Sequence, residues 1–284
     1  MPETGLNQFL DWGTATTVNA CVGKVTGGSL NYDSALAHRE GIGAQDSIVG
    51  GPIVPGGSMD VIVQDASLLA YAKRASVTAP TMTALCFAGG YSGAGRKQTG
   101  AYINTMRLAC SVGEPLTASI EWLALTDEAY ATAQQTYLTG STFEWFTGTA
   151  SVGGSTTLEV QSFELNINNN LEPIYSLDAK TTNQMRWPDS IKIGSQEITL
   201  NVDCLIHPST VAIADIFGDT LGIATTCVFT LVGGTAGTQT ATLTVTTLSR
   251  KTSPIPFVVG GGLVTYALSY EAPKDTACYT LVVA

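Results

Sequence analysis

Short runs of the chain alternate apolar and polar residues with the period of two that marks a strand buried on one face. In "SFELNIN" the apolar positions are Phe163, Leu165 and Ile167. In "SMDVIVQ" they are Met59, Val61 and Val63, and in "EITLNVD" they are Ile198, Leu200 and Val202; Asp60, Gln64, Glu197 and Asn201 fall on the opposite face. Each of the last two runs leads into a helix-like stretch. "DASLLAYAKRA", residues 65–75, has an Asp or Ser cap and ends on basic residues, and "HPSTVAIADIFG", residues 207–218, carries Pro near its first turn and stops at Gly218. Strand, Gly-Gly loop and strand then follow in "TALCFAGGYSGAGRKQTGAYINTMRLAC" and in "TCVFTLVGGTAGTQTATLTVTTLSR".

The same order of elements therefore occurs twice. Set without a gap over the segment from Gly148, the segment from Gly13 matches at Gly13/Gly148, Thr14/Thr149, Ala15/Ala150, Val25/Val160, Leu30/Leu165 and Asn31/Asn166, an offset of 148 less 13, or 135. Downstream, the strand ending at Asp65 reads like the strand ending at Asp203, an offset of 138, and Gly113 parallels Gly260 at 147. The growth of the offset places insertions in loops. This predicts a mainly β chain of two tandem copies, residues 1–130 and 142–284 with a linker at 131–141. Each copy is expected to be a β-sandwich or partly closed barrel with one short α-helix and one long loop.

The long loops are the conspicuous feature. "NNNLEPIYSLDAKTTNQMRWPD", residues 168–189, interrupts the alternation between two strands, and "DSALAHREGIGAQDSIVGGPIVPGG", residues 33–57, stands at the same place in the first copy. Loops of this length inside a compact domain are uncommon unless they serve as binding arms or are disordered, and their presence at the same place in both copies favours arms. The expected arm residues are Leu171, Glu172, Pro173, Tyr175 and Trp187, with His38 and Arg39 in the first copy.

Charge narrows the function. Thirteen Lys and Arg against 23 Asp and Glu give a formal net charge of -10, the wrong sign for a chain that grips nucleic acid but compatible with a surface that DNA passes without sticking. Only 13% of residues are charged and mean hydropathy is +0.20, so a large share of the surface is expected to meet other subunits. The first twelve residues lack the basic and apolar regions of a secretion signal, and the most apolar stretches are too short and Gly-broken to span a membrane.

Chemistry is sparse. Cys21, Cys86, Cys110, Cys204, Cys227 and Cys278 form no C-x-x-C pair and are expected to be buried thiols, and two isolated histidines, His38 and His207, make no metal site. "GGYSGAGRKQTG" approaches a phosphate-binding loop, but its lysine is displaced and no Ser or Thr follows it; it reads as a hairpin tip. Asp60, Asp65, Glu197 and Asp203 recur between the copies, which favours a repeated acidic surface over an acid and base with separate roles. Trp12, Trp122, Trp145 and Trp187 are core or interface anchors. No catalytic, cofactor or metal site is expected.

The order of the strand "FELNINNNLEPIYSLD", a long loop, the strand "PDSIKIGSQEITLNVDCLI", a short helix and hairpins resembles the tail tube proteins of tailed bacteriophages, particularly those with long non-contractile tails. The likeness is best over 140–284 and reaches the first half through the repeat. It implies a structural protein of the virion, made in the host cytoplasm, whose sheets wall a hollow ring. Its long loops reach to the next ring. A two-domain member is implied to form trimers with pseudo-sixfold symmetry, stacked into a tube. The implied partners are other copies of itself, the tape measure protein, and the tail terminator and distal tail proteins; double-stranded DNA passes through the lumen without specific binding. On that reading Asp60 and Glu197 face the lumen, where carboxylates repel phosphate. The alternatives are a distal tail or baseplate hub ring protein of the same tail, and a secreted carbohydrate-binding or surface-layer β-sandwich.

Overall fold

The structure, a computed structural model, describes residues 8–18, 20–21, 23–39, 47–65, 67–74, 82–91, 94–131, 138, 142–145, 148–152, 159–176, 186–206, 225–233, 239–252, 264–274 and 279–283. The strands are β1 (Gln8–Thr14), β2 (Gly23–Arg39), β3 (Ser47–Val63), β4 (Leu85–Tyr91), β5 (Ala94–Ser111), β6 (Thr117–Leu123), β7 (Thr126–Tyr130) and β8 (Thr149–Val152). They continue as β9 (Glu159–Asn168), β10 (Glu172–Ile174), β11 (Ser190–Lys192), β12 (Glu197–Ile206), β13 (Thr225–Gly233), β14 (Gln239–Thr252), β15 (Val264–Glu271) and β16 (Tyr279–Val283). β10 and β11 form a two-stranded ribbon, and the other fourteen join in one sheet. Its main path runs β2, β3, β6, β5, β9, β12, β15, β14, β13, β8, while β4 attaches to β5 and carries β1, β7 attaches to β5 and β16 to β14.

This corrects the expected fold class. The chain is mainly β, but it is not two discrete sandwich or barrel domains each with a helix, and the sheet does not close into a barrel. β5 and β9 pair antiparallel from Thr105↔Asn168 to Ser111↔Ser162, which welds the halves into one sheet. The reason is physical: separate domains would leave the backbone donors and acceptors of both edges unpaired. They would also split one continuous apolar face. Leu108 and Leu165 sit side by side in that ladder, and both belong to a single core running through the two halves. Each such fully buried side chain contributes about 1.5–3 kcal/mol relative to exposure.

Among the described residues the one helical segment is a short 3-10 stretch, Ser67–Ala72. Asp65 starts it, accepting the Ser67 backbone N–H at 2.8 Å, and Leu68, Leu69 and Ala72 anchor it in the core. The expected helix at 207–218 lies outside the described residues.

The three alternating runs are strands with the expected faces inward: Met59, Val61 and Val63, then Phe163, Leu165 and Ile167, then Ile198, Leu200 and Val202 are all buried. The segment 33–57, read as a loop, is instead most of a long hairpin. β2 and β3 remain paired out to Arg39↔Ser47. The Gly-Gly-Pro run that suggested a turn is absorbed by an irregularity: Ser34 faces Ile53 and Leu36 faces Gly50, so Gly51 and Pro52 lie opposite Ala35.

The pairings of β1 to β7 recur further along the chain. β1 with β4, β2 with β3, β3 with β6, β5 with β6, β4 with β5 and β5 with β7 have counterparts in β8 with β13, β9 with β12, β12 with β15, β14 with β15, β13 with β14 and β14 with β16. The bulges fall at matching places. The ladder slips between Val25 and Gly27 opposite Val61 and Asp60, and between Val160 and Ser162 opposite Cys204 and Asp203. It slips again between Ile103 and Thr105 opposite Trp122 and Glu121, and between Arg250 and Thr252 opposite Tyr270 and Ser269. Bulge for bulge, β2 maps to β9 at 160 less 25, or 135, and β5 to β14 at 250 less 103, or 147. Asp60 maps to Asp203, at 203 less 60, or 143, so the offset of 138 set those strands five residues out of register.

One correspondence is conformational. Gly100 has φ 61° and Thr247, 147 residues later, has φ 59°. Here β5 bends away from β7, last paired at Thr99, and from β4, last paired at Ala101, toward β6 and β9. Glycine takes that conformation freely, whereas a β-branched residue is strained in it. Thr247 is exposed. Thr247→Gly is expected to stabilise the chain by about 0.5–1 kcal/mol, strain relief outweighing the added unfolded-state entropy. A denaturation midpoint that falls would show that the Thr247 side chain holds something.

Candidate functional site: the polar sheet face and the arm beside it

The residues between the buried positions of β2, β3, β6, β5, β9, β12, β15 and β14 form one broad polar face. Seven carboxylates stand on it, Asp60, Glu121, Glu159, Glu164, Glu197, Asp203 and Glu271, against four cations, Lys24, Arg107, Lys251 and Lys274. The described part of the face thus carries 4 less 7, or -3. Three carboxylates are in ion pairs. Lys274 meets Glu197 at 2.7 Å, Lys251 meets Glu271 at 3.5 Å, and Arg107 of β5 meets Glu164 of β9 through Nε at 2.8 Å and also through Nη2. The Arg107 and Asn166 hydrogen bonds hold the Glu164 carboxyl below its ordinary range, and Glu164 raises Arg107 in turn.

Asp60, Glu121 and Asp203 instead accept from hydroxyls: Ser119 at 2.6 Å, Thr105 at 3.0 Å and Ser162 at 2.8 Å. A hydroxyl orients a carboxylate without cancelling its charge. These three therefore contribute their charge to the face together with the exposed Glu159. Asp60 and Glu197, the two positions singled out in the sequence, both lie here, but they are not counterparts: Asp60 lies opposite Ser119 and Glu197 opposite Asn168. Alternation places Glu121 and Glu164 on the outward face, but the Thr105–Glu121 contact and the Arg107–Glu164 pair were not anticipated, because which strand lies beside which is not written in either strand alone.

Where β9 ends, the three asparagines have separate tasks. Asn168 Oδ1 accepts the Asn170 backbone N–H at 3.0 Å, which starts a turn, and Asn170 takes φ 47°. Its amide donates to Ser195 O at 2.8 Å. Asn169 is fully buried. Its Nδ2 donates to Ala72 O at 2.9 Å and Ile103 O at 2.8 Å, its Oδ1 accepts from Gln196 at 2.6 Å, and its backbone N–H donates to Asn104 O at 2.8 Å. One amide thus ties both halves together, and no alternating pattern marks it.

Beyond the asparagines the arm folds back on its own chain. The Leu171 N–H donates to Asn104 Oδ1 at 2.9 Å. Pro173 faces Ile191 across the ribbon, and Glu172 pairs with Lys192 at 3.6 Å. The ribbon then leans on the β2–β3 hairpin: Tyr175 OH donates to Ile53 O at 3.3 Å, Arg186 Nε to Gly51 O at 2.7 Å, and the Ile53 N–H to Arg186 O at 2.7 Å. Trp187 is half-buried beside these contacts. His38 and Arg39 lie at the far end of β2, opposite Ile48 and Ser47. The two expected arms are therefore neighbours, although 177–185 and 40–46 lie outside the described residues.

The remaining candidates are structural. The described part of the Gly-rich stretch is paired strand of the β4–β5 hairpin, and in β5 Arg96 pairs with Asp127 at 2.5 Å and Lys97 with Glu128 of β7 at 2.8 Å. The described cysteines are free and buried, and burial pushes the thiols of Cys21 and Cys204 up to about 12 and that of Cys110 to about 11. Such thiols are protonated and inert. Trp12 and Trp122 are core residues, while Trp145 is exposed. Among the described residues, no cluster of three or more His, Cys, Asp or Glu is placed to hold a metal ion, and no helix is long and apolar enough to cross a membrane.

A family model described as phage tail tube protein matches residues 73–272, which takes in β4 to β15 and the junction between the halves. No curated protein matches the chain.

Proposed function

Since this chain belongs to the phage tail tube protein family, we propose that it is the major tube subunit of a long non-contractile tail, with two tandem copies of one strand order in each chain. The recurrence of the strand pairings and bulges supports the tandem reading, with the copies at about 1–130 and 142–284 and a linker between. Three chains then make a pseudo-sixfold ring, and rings stack into a tube. The polar face turns toward the lumen, which holds the tape measure protein during assembly and later passes double-stranded DNA. The paired arms contact the next ring, and the tail terminator and distal tail proteins cap the two ends.

The observation that carries this reading is the acidic balance of the described polar face, on which Asp60, Glu121 and Asp203 accept from hydroxyls. A wall of one sign repels phosphate over a Debye length of about 8–10 Å at physiological salt, so the duplex slides without adhering. Asp60→Lys, Glu121→Lys and Asp203→Lys combined are expected to leave tubes intact, because the core is untouched, and to slow DNA ejection severalfold. Unchanged ejection kinetics would remove the lumen assignment. A distal tail or hub protein differs in stopping at one ring, so long cylinders of the purified chain in negative-stain micrographs decide for the tube.

A further inference from the structure

We propose that the apolar cleft at the joint between the halves is the seat for Ile174 of a copy in the adjoining ring. The proposal rests on the stacked-ring reading above and names the surface that the arm meets. The cleft has a volume of about 390 Å³ and is lined by the end of β5 and the turn after it, by Trp145 between the halves, by the first residues of β9, and by β8 and β13. Its lining is mostly apolar. Val112, Trp145, Ala150, Val160 and Leu231 take part, and Phe163 stacks on Phe229 with ring centroids 4.3 Å apart.

Cleft and arm stand at opposite ends of the strands. Ser162, beside the cleft, faces Ser111 at one end of the β5–β9 ladder, and Asn168, where the arm departs, faces Thr105 at the other. The ten residues of β9 span about 30 Å between them. A contact between unlike ends of identical subunits is heterologous, and it repeats without closing when successive rings are related by translation along one axis. The exposed apolar residues sort by the same two ends. Val112 and Trp145, 46% and 40% exposed, stand at the cleft, and Val25, the counterpart of Val160, is exposed at the same end of the first half. Ile174 is the exposed large hydrophobic residue of the described arm. An exposed tryptophan beside an apolar cleft is the kind of anchor that a partner side chain covers.

Charge fits the same pairing. In the β10–β11 ribbon Pro173 and Ile191 are half-buried, while Glu172, Ile174 and Lys192 are exposed. Lys192 meets Glu172 at 3.6 Å with both side chains open to solvent, and an ion pair of that kind holds its partners weakly. Carboxylates flank the cleft: Glu114 and Glu159 are exposed, and Glu144, next to Trp145, lies close enough to Cys110 to raise its thiol. Seating Ile174 therefore brings the ribbon's lysine to an acidic rim.

A double-mutant cycle on assembly tests this. Trp145→Ser and Ile174→Ser are each expected to raise the protein concentration needed for tube growth about tenfold, while single rings still form and the subunit's denaturation midpoint holds. Because the two residues meet, the double variant is expected to do little worse than either single one. Where Trp145→Ser impairs the rings themselves, Val112→Ser on the exposed turn takes its place in the cycle. Tubes that grow at the unsubstituted chain's concentration when the cleft residue is replaced, or losses that multiply in the double variant, overturn the seat and leave the ring reading standing. A chain that forms neither rings nor tubes at high concentration overturns both.

Discussion

Asn169→Leu is expected to destabilise the subunit by about 2–4 kcal/mol, although it preserves side-chain size. The residue is fully buried, and its amide serves carbonyls in two separate elements, Ala72 after the 3-10 stretch and Ile103 in β5, while holding Gln196 ahead of β12. Leucine brings no donor, so the Ile103 carbonyl loses that bond in a site water does not reach. Ala72 O keeps only the longer Gln196 contact at 3.3 Å. Stranded buried acceptors cost more than the net worth of the bonds they made, because the desolvation penalty is no longer offset. Chemical denaturation of the unassembled subunit measures the effect. A loss under about 0.5 kcal/mol, the ordinary range for an inconsequential surface change, would mean that the β5–β9 ladder alone joins the halves.

The second large effect is expected at Trp122. It is buried, stacks on Phe87 with ring centroids 3.9 Å apart, and donates from Nε1 to Gln98 Oε1 at 2.8 Å. Gln98 is itself fully buried and passes the connection on, donating to Gly56 O at 2.8 Å and Asn31 O at 3.1 Å. The indole therefore fills space between β6 and β4 and orients the amide that fastens β5 to β2 and β3. Gly57 shows how tight the fit is: a Cβ there would come within 2.4 Å of Trp122 Cζ2. Trp122→Ala is expected to cost about 3–5 kcal/mol from lost contacts and the cavity left behind. Trp122→Phe keeps most of the packing and removes the donor, so it should cost about 1–3 kcal/mol, the share of the unsatisfied Gln98 oxygen. Equal losses for the two variants would assign the whole effect to the hydrogen bond.

The contrast between these residues shows how far the sequence could be read. Trp122 was recognisable as an anchor because a large apolar side chain on the inward phase of "TASIEWL" has one economical place to go. Asn169 was not, since an asparagine after a strand ordinarily signals an exposed turn. Two of its neighbours do behave that way; Asn168 and Asn170 make the turn, and the middle one goes inward. The helix expected at 65–75 shrank to six residues for a related reason. Leu68, Leu69 and Ala72 are buried, and that contact sets the length of the segment more strongly than helix propensity does.

The repeat illustrates the same limit at larger scale. Matches such as Val25/Val160 and Leu30/Leu165 were visible at the offset of 135, and the ladders keep that offset. The offset of 138 sets Asp65 on Asp203 by residue type, whereas the ladders set Asp60 there. The register is decided by the bulges, which add residues without changing the apolar pattern on either side.

By itself, the amino-acid sequence determined that this protein is mainly β, which positions of its strands face inward, that residues such as Val25 and Leu30 recur at an offset of 135, and that its charge is acidic. Those properties are local or additive, so a period of two, a matched spacing and a count of charges suffice to read them. Only the tertiary structure decided that the halves share one sheet, that Asp203 answers Asp60, that Asn169 ties the halves together, and that the segment 33–57 is mostly paired strand. Each depends on which distant backbone edge meets which, and strand pairing carries its information in the register between partners, which neither strand records alone.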